Sequence, residues 1–222
     1  MNYVIPQNMA DVAEADELVE PNVRDIAKDI FTWPWASEPH GYNFNGHFVH
    51  SPGGNICIDP VEPTKDVMDA LVGEGVSWII LTNRNHSRAA NRVRARTGAR
   101  TFIHADDAEH ARSQGTKLDG ALELGGAVGL LEVVDASGKS PGEIALLWRD
   151  RGILIVGDAV IGNPPGQCTL LPEGVMDDPA RLRGNVRKLL DLDFDILLVG
   201  DGEAILQNAK ARLEELVETF PD

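Results

Sequence analysis

The sequence predicts an α/β fold organised as one folded domain. Short apolar stretches typical of buried strands alternate with segments in which apolar residues recur at helical spacing. The chain has 222 residues, which is enough for one sizeable core, and no linker-like stretch divides it. We therefore assign residues 23–222 to a single domain and residues 1–22 to an N-terminal arm, which we expect to be mobile or to bind a partner.

Turn and cap residues place the elements of the first half. A run of Ser, Pro and two glycines at residues 51–54 separates two strand-like stretches, which predicts a hairpin. Thr64 is a typical helix N-cap, and the helix that follows it ends near Gly75. The predicted order is a hairpin at residues 25–35, strands at 44–50 and 55–59, a helix after residue 64, a strand at 77–82, a helix at 88–97, a strand at 101–104 and a helix at 106–113.

The second half begins with three apolar runs that predict successive strands. Asp178 followed by Pro179 then marks the start of a helix. Leu206, Leu213 and Val217 recur at helical spacing and predict a closing helix. The predicted order is strands at residues 130–134, 143–148 and 152–156, a helix from residue 178, a strand at 196–199 and a helix at 204–220.

Charge and cysteine content exclude several classes of partner. The chain carries 20 Lys and Arg against 35 Asp and Glu, a net charge of −15, which repels phosphate backbones and anionic lipid. We therefore expect no nucleic-acid and no membrane partner. Residues 1–20 lack the apolar core of a secretory signal, and the two cysteines have no metal-type spacing. These features favour a cytoplasmic protein, for which a homodimer is one open option.

Four polar segments follow predicted strands and carry the chemistry of the chain. They read TNRNHSR at residues 82–88, GKSPG at 138–142, GDA at 157–159 and GDG at 200–202. Their order, spacing and surroundings resemble the metallo-β-lactamase superfamily, in which the segments read THxHxDH, GHTxG, GD and GHG. The resemblance covers residues 25–217. It implies a four-layer αββα sandwich, a hydrolase ancestry and a site at the edge where the segments meet.

The residues at the family's metal-ligand positions depart from the family pattern. Family members hold two divalent cations that lower the pKa of a bridging water to about 7, and the hydroxide attacks a carbonyl or phosphoryl group. Here only Asp158 matches a ligand of the family pattern. Arg88 and Lys139 place positive charge where a metal cation would lie, and this charge would repel the cation. We therefore expect no cofactor and no dinuclear zinc site. The former ligand positions, which we expect to line a pocket, are Asn83, Asn85, Ser87, Arg88, Lys139, Asp158 and Asp201.

The charges of this pocket predict a salt-bridge cluster. Lys139 and Arg88 can neutralise Asp158 and Asp201, and buried charges persist when they are paired and hydrogen-bonded. Such a cluster either fills the former metal cavity or binds a small anionic molecule. This interpretation favours a degenerate, metal-free site in a small-molecule binding or scaffold protein.

His86 supports an alternative interpretation as a hydrolase. With Asp158 and Asp201 it forms a ligand set suited to one Zn, Fe or Mn ion. Without metal it could act as a base, because histidine titrates near physiological pH. His86 and Asp158 are therefore the catalytic candidates, although a histidine in such a loop is most commonly hydrogen-bonded to backbone without a chemical role. Asp59 matches a family aspartate that supports the metal-site loops through hydrogen bonds.

Overall fold

The computed structural model describes residues 24–221 and contains two sheets and five α-helices. The strands are β1 (Arg24–Ala27), β2 (Ile30–Ser37), β3 (Tyr42–Val49), β4 (Ile56–Ile58), β5 (Trp78–Ile80), β6 (Arg100–His104), β7 (Gly120–Leu122), β8 (Ala127–Val128), β9 (Leu131–Asp135), β10 (Ile144–Trp148), β11 (Ile153–Val156) and β12 (Ile196–Val199). The helices are α1 (Lys65–Glu74), α2 (Ala90–Thr97), α3 (Ala105–Ser113), α4 (Pro179–Leu189) and α5 (Ala209–Glu218). The N-terminal arm lies outside the described residues, so the boundary at residue 22 stays a prediction.

Three apolar clusters show that the two sheets pack face to face between two layers of helices. In the first sheet, Cys57 packs against α1, α2 and α3, whereas Ile56 and Ile58 on the same strand pack between the sheets. In the second sheet, Leu147 packs against α4 and α5, whereas Leu146 points to the inter-sheet core. The predicted α/β fold, the four-layer αββα sandwich, is therefore confirmed.

Strand direction changes within each sheet. The seven-stranded sheet runs β1 to β7 in order, antiparallel as far as β4 and parallel from β4 to β7. The five-stranded sheet has the order β12-β11-β10-β9-β8, and only β11 and β12 are parallel. Every residue of β10 and β11 is buried because both faces of these strands are covered.

Some element boundaries differ from the predicted ones. The closing helix begins at Ala209 rather than at residue 204, because Ile205 makes backbone hydrogen bonds with Leu197 and Asn208 adopts a left-handed conformation with φ 54°. The short strands β7 and β8 were not predicted, since two or three residues carry no readable period. Within the described part of the chain, none of the helices combines the length and apolar character that crossing a bilayer requires.

Candidate active site

The four polar segments meet at one edge of the sandwich because they follow strands that end there. Residues 82–88 follow β5, residues 138–142 connect β9 to β10, Asp158 follows β11 and Asp201 follows β12. This convergence places side chains from both sheets around one cleft.

A seam of hydrogen bonds ties the two sheets together at this edge. The backbone N–H of Asn45 on β3 donates to the Gly200 carbonyl at 2.8 Å. Its side-chain Nδ2 donates to the carbonyls of Val199 at 3.0 Å and Gly202 at 2.9 Å. A β-bridge between Phe44 and Asp201 continues the contact. The seam therefore places Asp201 relative to the first sheet.

His86 is fully buried and bonded at both ring nitrogens. Its Nδ1 lies 2.8 Å from Asp59 Oδ2, and its Nε2 lies 3.0 Å from Asp158 Oδ1. Burial and the nearby Arg88 lower the pKa of His86, but the carboxylates of Asp158 and Asp59 outweigh both and raise it to about 10. A side chain at Gly200 would meet the imidazole at 2.5 Å, so this position must lack one.

Asp59 anchors the loop that carries His86. Its carboxylate accepts hydrogen bonds from the Thr82 backbone N–H at 2.8 Å and from the Thr82 hydroxyl at 2.5 Å. The residue has a left-handed φ of 46°, which is costly for a side chain other than glycine and persists here because these contacts restrain it. The supporting contacts predicted for Asp59 are present in the structure.

Asp158 and Lys139 form a buried ion pair. The Lys139 ammonium contacts Asp158 Oδ2 and also donates to Asn85 Oδ1 at 2.8 Å. Burial acts to raise the pKa of Asp158, but the charges and hydrogen bonds of His86 and Lys139 hold it well below its usual range. Asp158 is therefore ionised at neutral pH.

A second ion pair joins Arg88 to Asp201. Arg88 Nη2 donates to Asp201 Oδ1 at 2.9 Å, and the guanidinium lies 4.0 Å from the centre of the Phe44 ring. Burial and the negative charge of Asp158 raise the pKa of Asp201, although His86 and Arg88 counteract this shift. The salt-bridge cluster expected from the sequence is thus present as two separate pairs.

Two functional candidates were missed by the sequence reasoning. Glu143 is buried, and its Oε1 accepts hydrogen bonds from the Asp158 backbone N–H at 2.6 Å and from Asn83 Nδ2 at 3.2 Å. Among the described residues its Oε2 has no hydrogen-bond partner, and burial together with the charge of Asp158 raises its pKa to about 8. An acidic residue directly before the all-apolar strand β10 was the available signal.

The second missed residue, Asp107 on α3, joins two of the motif loops. Its buried carboxylate accepts hydrogen bonds from the Arg84 backbone N–H at 2.9 Å, the Ser140 hydroxyl at 2.5 Å and the Gly142 backbone N–H at 3.0 Å. No sequence signal marked it, because its partners lie 23 to 35 residues away.

The cleft beside these groups has a volume of about 790 Å³, which is in the range of small-molecule sites. Five of the seven predicted pocket residues line it. Asn83 is instead fully buried beneath it, and Ser87 is not among the lining residues. The predicted residues that line the cleft are Asn85, Arg88, Lys139, Asp158 and Asp201. The remaining walls comprise His40, Tyr42 and Phe44 on one side and Ile161, Leu170, Leu171, Pro172 and Val175 on the other.

The donor set fits one metal ion. One nitrogen of His86 and one carboxylate oxygen each of Asp158 and Asp201 all lie within 4.8 Å of one another. The Asp59 carboxylate beside His86 Nδ1 matches the hydrogen bond that orients metal-binding histidines. The positions expected to hold a second ion carry Lys139 and Arg88, whose positive charges oppose it.

Comparison with known proteins identifies related sequences. The sequence model of the metallo-β-lactamase superfamily matches residues 25–220. The hydroxyacylglutathione hydrolase of Hyphomonas neptunium (strain ATCC 15444) is 28% identical over 159 residues, which cover 67% of this chain and 57% of that protein. The chain therefore spans less than two thirds of the length of this relative.

Solved structures share the fold at low sequence identity. A DIM-1 metallo-β-lactamase has a TM-score of 0.74 and 17% identity, covering 92% of this chain and 99% of its own. The FIM-1 enzyme of Pseudomonas aeruginosa, in a mono-zinc form, has a TM-score of 0.72 and 17% identity, covering 89% and 94%. A further neighbour in a di-iron-bound form has a TM-score of 0.61 and 21% identity, covering 81% and 97%.

These findings correct the expectation of a site without a cofactor, which is wrong. One structural neighbour is a mono-zinc form and another a di-iron-bound form, and this chain has three ligand-type side chains in one cluster. The expectation rested on the ligands lost at family positions. His86 lies between two of those positions, and in the folded chain it reaches Asp158.

Proposed function

Because the chain belongs to the metallo-β-lactamase superfamily, we propose that it is a hydrolase that binds one divalent metal ion through His86, Asp158 and Asp201 and acts on a small anionic molecule. The observation that carries this proposal is the convergence of the three ligand atoms within 4.8 Å. A mixed imidazole and carboxylate set suits Zn, Fe or Mn. When bound, the ion supplies Lewis-acid chemistry by polarising a carbonyl or phosphoryl oxygen and lowering the pKa of water.

His86 and Asp59 act as a unit in this proposal. Nδ1–H donates to Asp59, and Nε2, which is bonded to Asp158, would coordinate the ion once binding displaces its proton. The Asp59 carboxylate keeps the imidazole in this tautomer and orientation. Thr82 in turn orients Asp59 through two hydrogen bonds. Asp59 is therefore a positioning residue for the proposed ligand.

Lys139 and Arg88 explain the preference for an anionic substrate. Both line the cleft, and an ammonium has three N–H donors, of which Asp158 and Asn85 accept two. The remaining donor is available to a substrate carboxylate or to an oxygen that gains negative charge during hydrolysis. A divalent ion added to these two cations makes the cleft floor positive, which attracts anions in spite of the net charge of −15.

The departures from the family ligand pattern support a mononuclear site. A dinuclear site needs ligands at the positions of Lys139 and Arg88, and each of these residues instead neutralises a carboxylate. The acidic surface argues against nucleic acid or anionic membrane as a partner, and the homodimer stays a prediction.

One observation favours a second candidate function, binding without turnover. Asp158 and Asp201 are each already paired with a cationic side chain, Lys139 and Arg88 respectively. These two cationic side chains could bind an anion without any reaction taking place. The two functions differ in whether a bound ester is cleaved.

The test combines metal stoichiometry with turnover. We expect purified protein titrated with zinc to bind about one ion per chain tightly, and Asp158→Asn to lose this binding, while the exposed Asp69→Asn keeps it. Mono-nitrophenyl succinate should be cleaved faster than neutral nitrophenyl acetate, and the difference should shrink at high salt. Two tight zinc sites, or none, would contradict the proposed site. Binding of succinate without ester cleavage would favour the second function.

A further inference from the structure

Lys139 contacts a proposed metal ligand and a residue outside the ligand set at the same time. Its ammonium pairs with Asp158 Oδ2 and donates to Asn85 Oδ1 at 2.8 Å, and the residue is 8% exposed. Asp158 Oδ1 is bonded to His86 Nε2 at 3.0 Å. Both oxygens of the Asp158 carboxylate therefore already have a partner. A metal ion that binds this carboxylate must either displace one of these partners or bind beside it.

A metal ion and the Lys139 ammonium would compete for Asp158. Two positive charges held a few ångströms apart by one buried carboxylate repel each other strongly, because little water screens them. Lysine is a compact charge on a flexible stem and can leave, whereas Arg88 is held by its contact with the Phe44 ring. Lys139 is thus the cation that can move.

Asn85 can hold the Lys139 ammonium after it leaves Asp158. Its side-chain oxygen already accepts from Lys139, and its backbone N–H is bonded to Asn83 Oδ1 at 2.8 Å, which restrains the loop. Asn85 itself is exposed and lines the cleft. An ammonium held by Asn85 alone would leave Asp158 available and still face the cleft.

From these contacts we propose that Lys139 is a built-in competitor that sets the metal affinity of the site, and that Asn85 is the acceptor that retains Lys139 when the ion binds. The inference rests on the proposed metal site and goes beyond it. It assigns the affinity of the site to a charged residue that is not a ligand, and it frees a second N–H donor of Lys139 for an anion when metal is present.

The test is a double-mutant cycle on zinc affinity, measured by competition with a chromophoric chelator. Lys139→Met should bind zinc about tenfold or more tightly than the parent, because the competing charge is gone. Asn85→Leu should bind about fivefold more weakly, because Lys139 loses its other acceptor and stays on Asp158. The double variant should match Lys139→Met. The exposed Lys65→Met, which removes a cation paired with Asp69, should leave the affinity unchanged.

The outcomes separate this inference from the proposed function. One zinc ion bound equally by the parent and Lys139→Met would overturn the competitor role and leave the metal site intact. An unchanged affinity in Asn85→Leu would remove only the role of Asn85. Absence of zinc binding in both the parent and Lys139→Met would refute the metal site itself. If Lys139→Met fails to fold, Lys139→Gln replaces it, and a gain in affinity is still required.

Discussion

The site consists of two groups of residues that differ in burial and in what they contact. The inner group, Asp59, Thr82, His86 and Glu143, is at most 1% exposed. The outer group, Asn85, Arg88 and Lys139, lines the cleft. In the inner group, short hydrogen bonds join Thr82, Asp59 and His86 and orient the imidazole, while Glu143 accepts from the Asp158 backbone N–H. The outer group presents charge to the cleft. Different residues therefore orient the proposed ligand and control the charge around it.

The largest effect is expected from removing the anchor of the inner group. Asp59→Ala leaves His86 and Thr82 without their shared buried acceptor, and breaking one partner of a buried pair costs about 3–5 kcal/mol. Urea unfolding at neutral pH measures this loss. Asp69→Ala, in an exposed pair, should cost roughly 0–1 kcal/mol. Equal effects of the two variants would show that burial does not distinguish the inner group.

A pH-dependent loss of stability is expected from His47, which lies on β3 behind the inner group and is 1% exposed. Burial is the main cause that lowers its pKa to about 4, against an ordinary value of 6.5. Between pH 6.5 and pH 4 the unfolded chain therefore binds a proton at His47 that the folded chain does not bind. The free energy of unfolding falls as the pH drops through this range.

The variant His47→Gln should reduce that acid sensitivity. It can keep a hydrogen bond to the Thr32 hydroxyl, which lies 2.7 Å from His47 Nδ1, and it does not titrate. The stability lost between pH 7 and pH 4 should be smaller by about 3 kcal/mol than in the parent. Identical pH profiles in urea unfolding would mean that His47 is protonated in the folded protein near its ordinary pKa.

A smaller effect is expected at Asp107, which joins the loop at residues 82–88 to the loop at residues 138–142. Asp107→Asn exchanges one acceptor oxygen for a donor where three hydrogen bonds converge, and the expected cost is about 2 kcal/mol. Asp106→Asn, at the neighbouring exposed residue, is the matched control and should be neutral within about 0.5 kcal/mol. Thermal unfolding of both variants checks this. A neutral Asp107→Asn would indicate that the loops are held by other contacts.

The smallest effect is expected at a partly exposed ion pair on the loop at residues 82–88. Arg84 and Asp177 form a bidentate pair with Nη2–Oδ distances of 2.7 and 2.9 Å, but both side chains are partly exposed. Arg84→Ala should therefore cost roughly 0–1 kcal/mol and become indistinguishable from the parent at high salt. A salt-independent loss of several kcal/mol would place this pair with the buried group instead.

The fold could be predicted from the sequence because local patterns encode it. Buried strands such as β11 are continuous apolar runs, and the start of α4 is marked by Asp178 and Pro179. The approximate location of the site followed from polar segments at strand ends. Periodicity says nothing, however, about which side chains meet. Glu143 and Asp107 are single acidic residues whose roles arise from partners far along the chain.

The metal prediction failed for a related reason. Matching residues to family positions treats each ligand as belonging to one position in a motif. His86 lies between two such positions, and only the folded loop, anchored by the hydrogen bonds of Thr82 to Asp59, brings its ring to Asp158. The sequence could name His86, Asp158 and Asp201 together as an alternative. It could not show that their ligand atoms lie within 4.8 Å.

The seam at Asn45 has a mechanical consequence. Because one side chain bridges carbonyls of Val199 and Gly202, the two sheets are clamped at the edge that holds the site. Breathing motions of the sandwich should then pivot about this edge, opening the opposite end while Asp158 and Asp201 keep their spacing. Amide hydrogen exchange should accordingly be slowest at Asn45 and Gly200, and loss of the clamp would make the site the first part of the molecule to loosen.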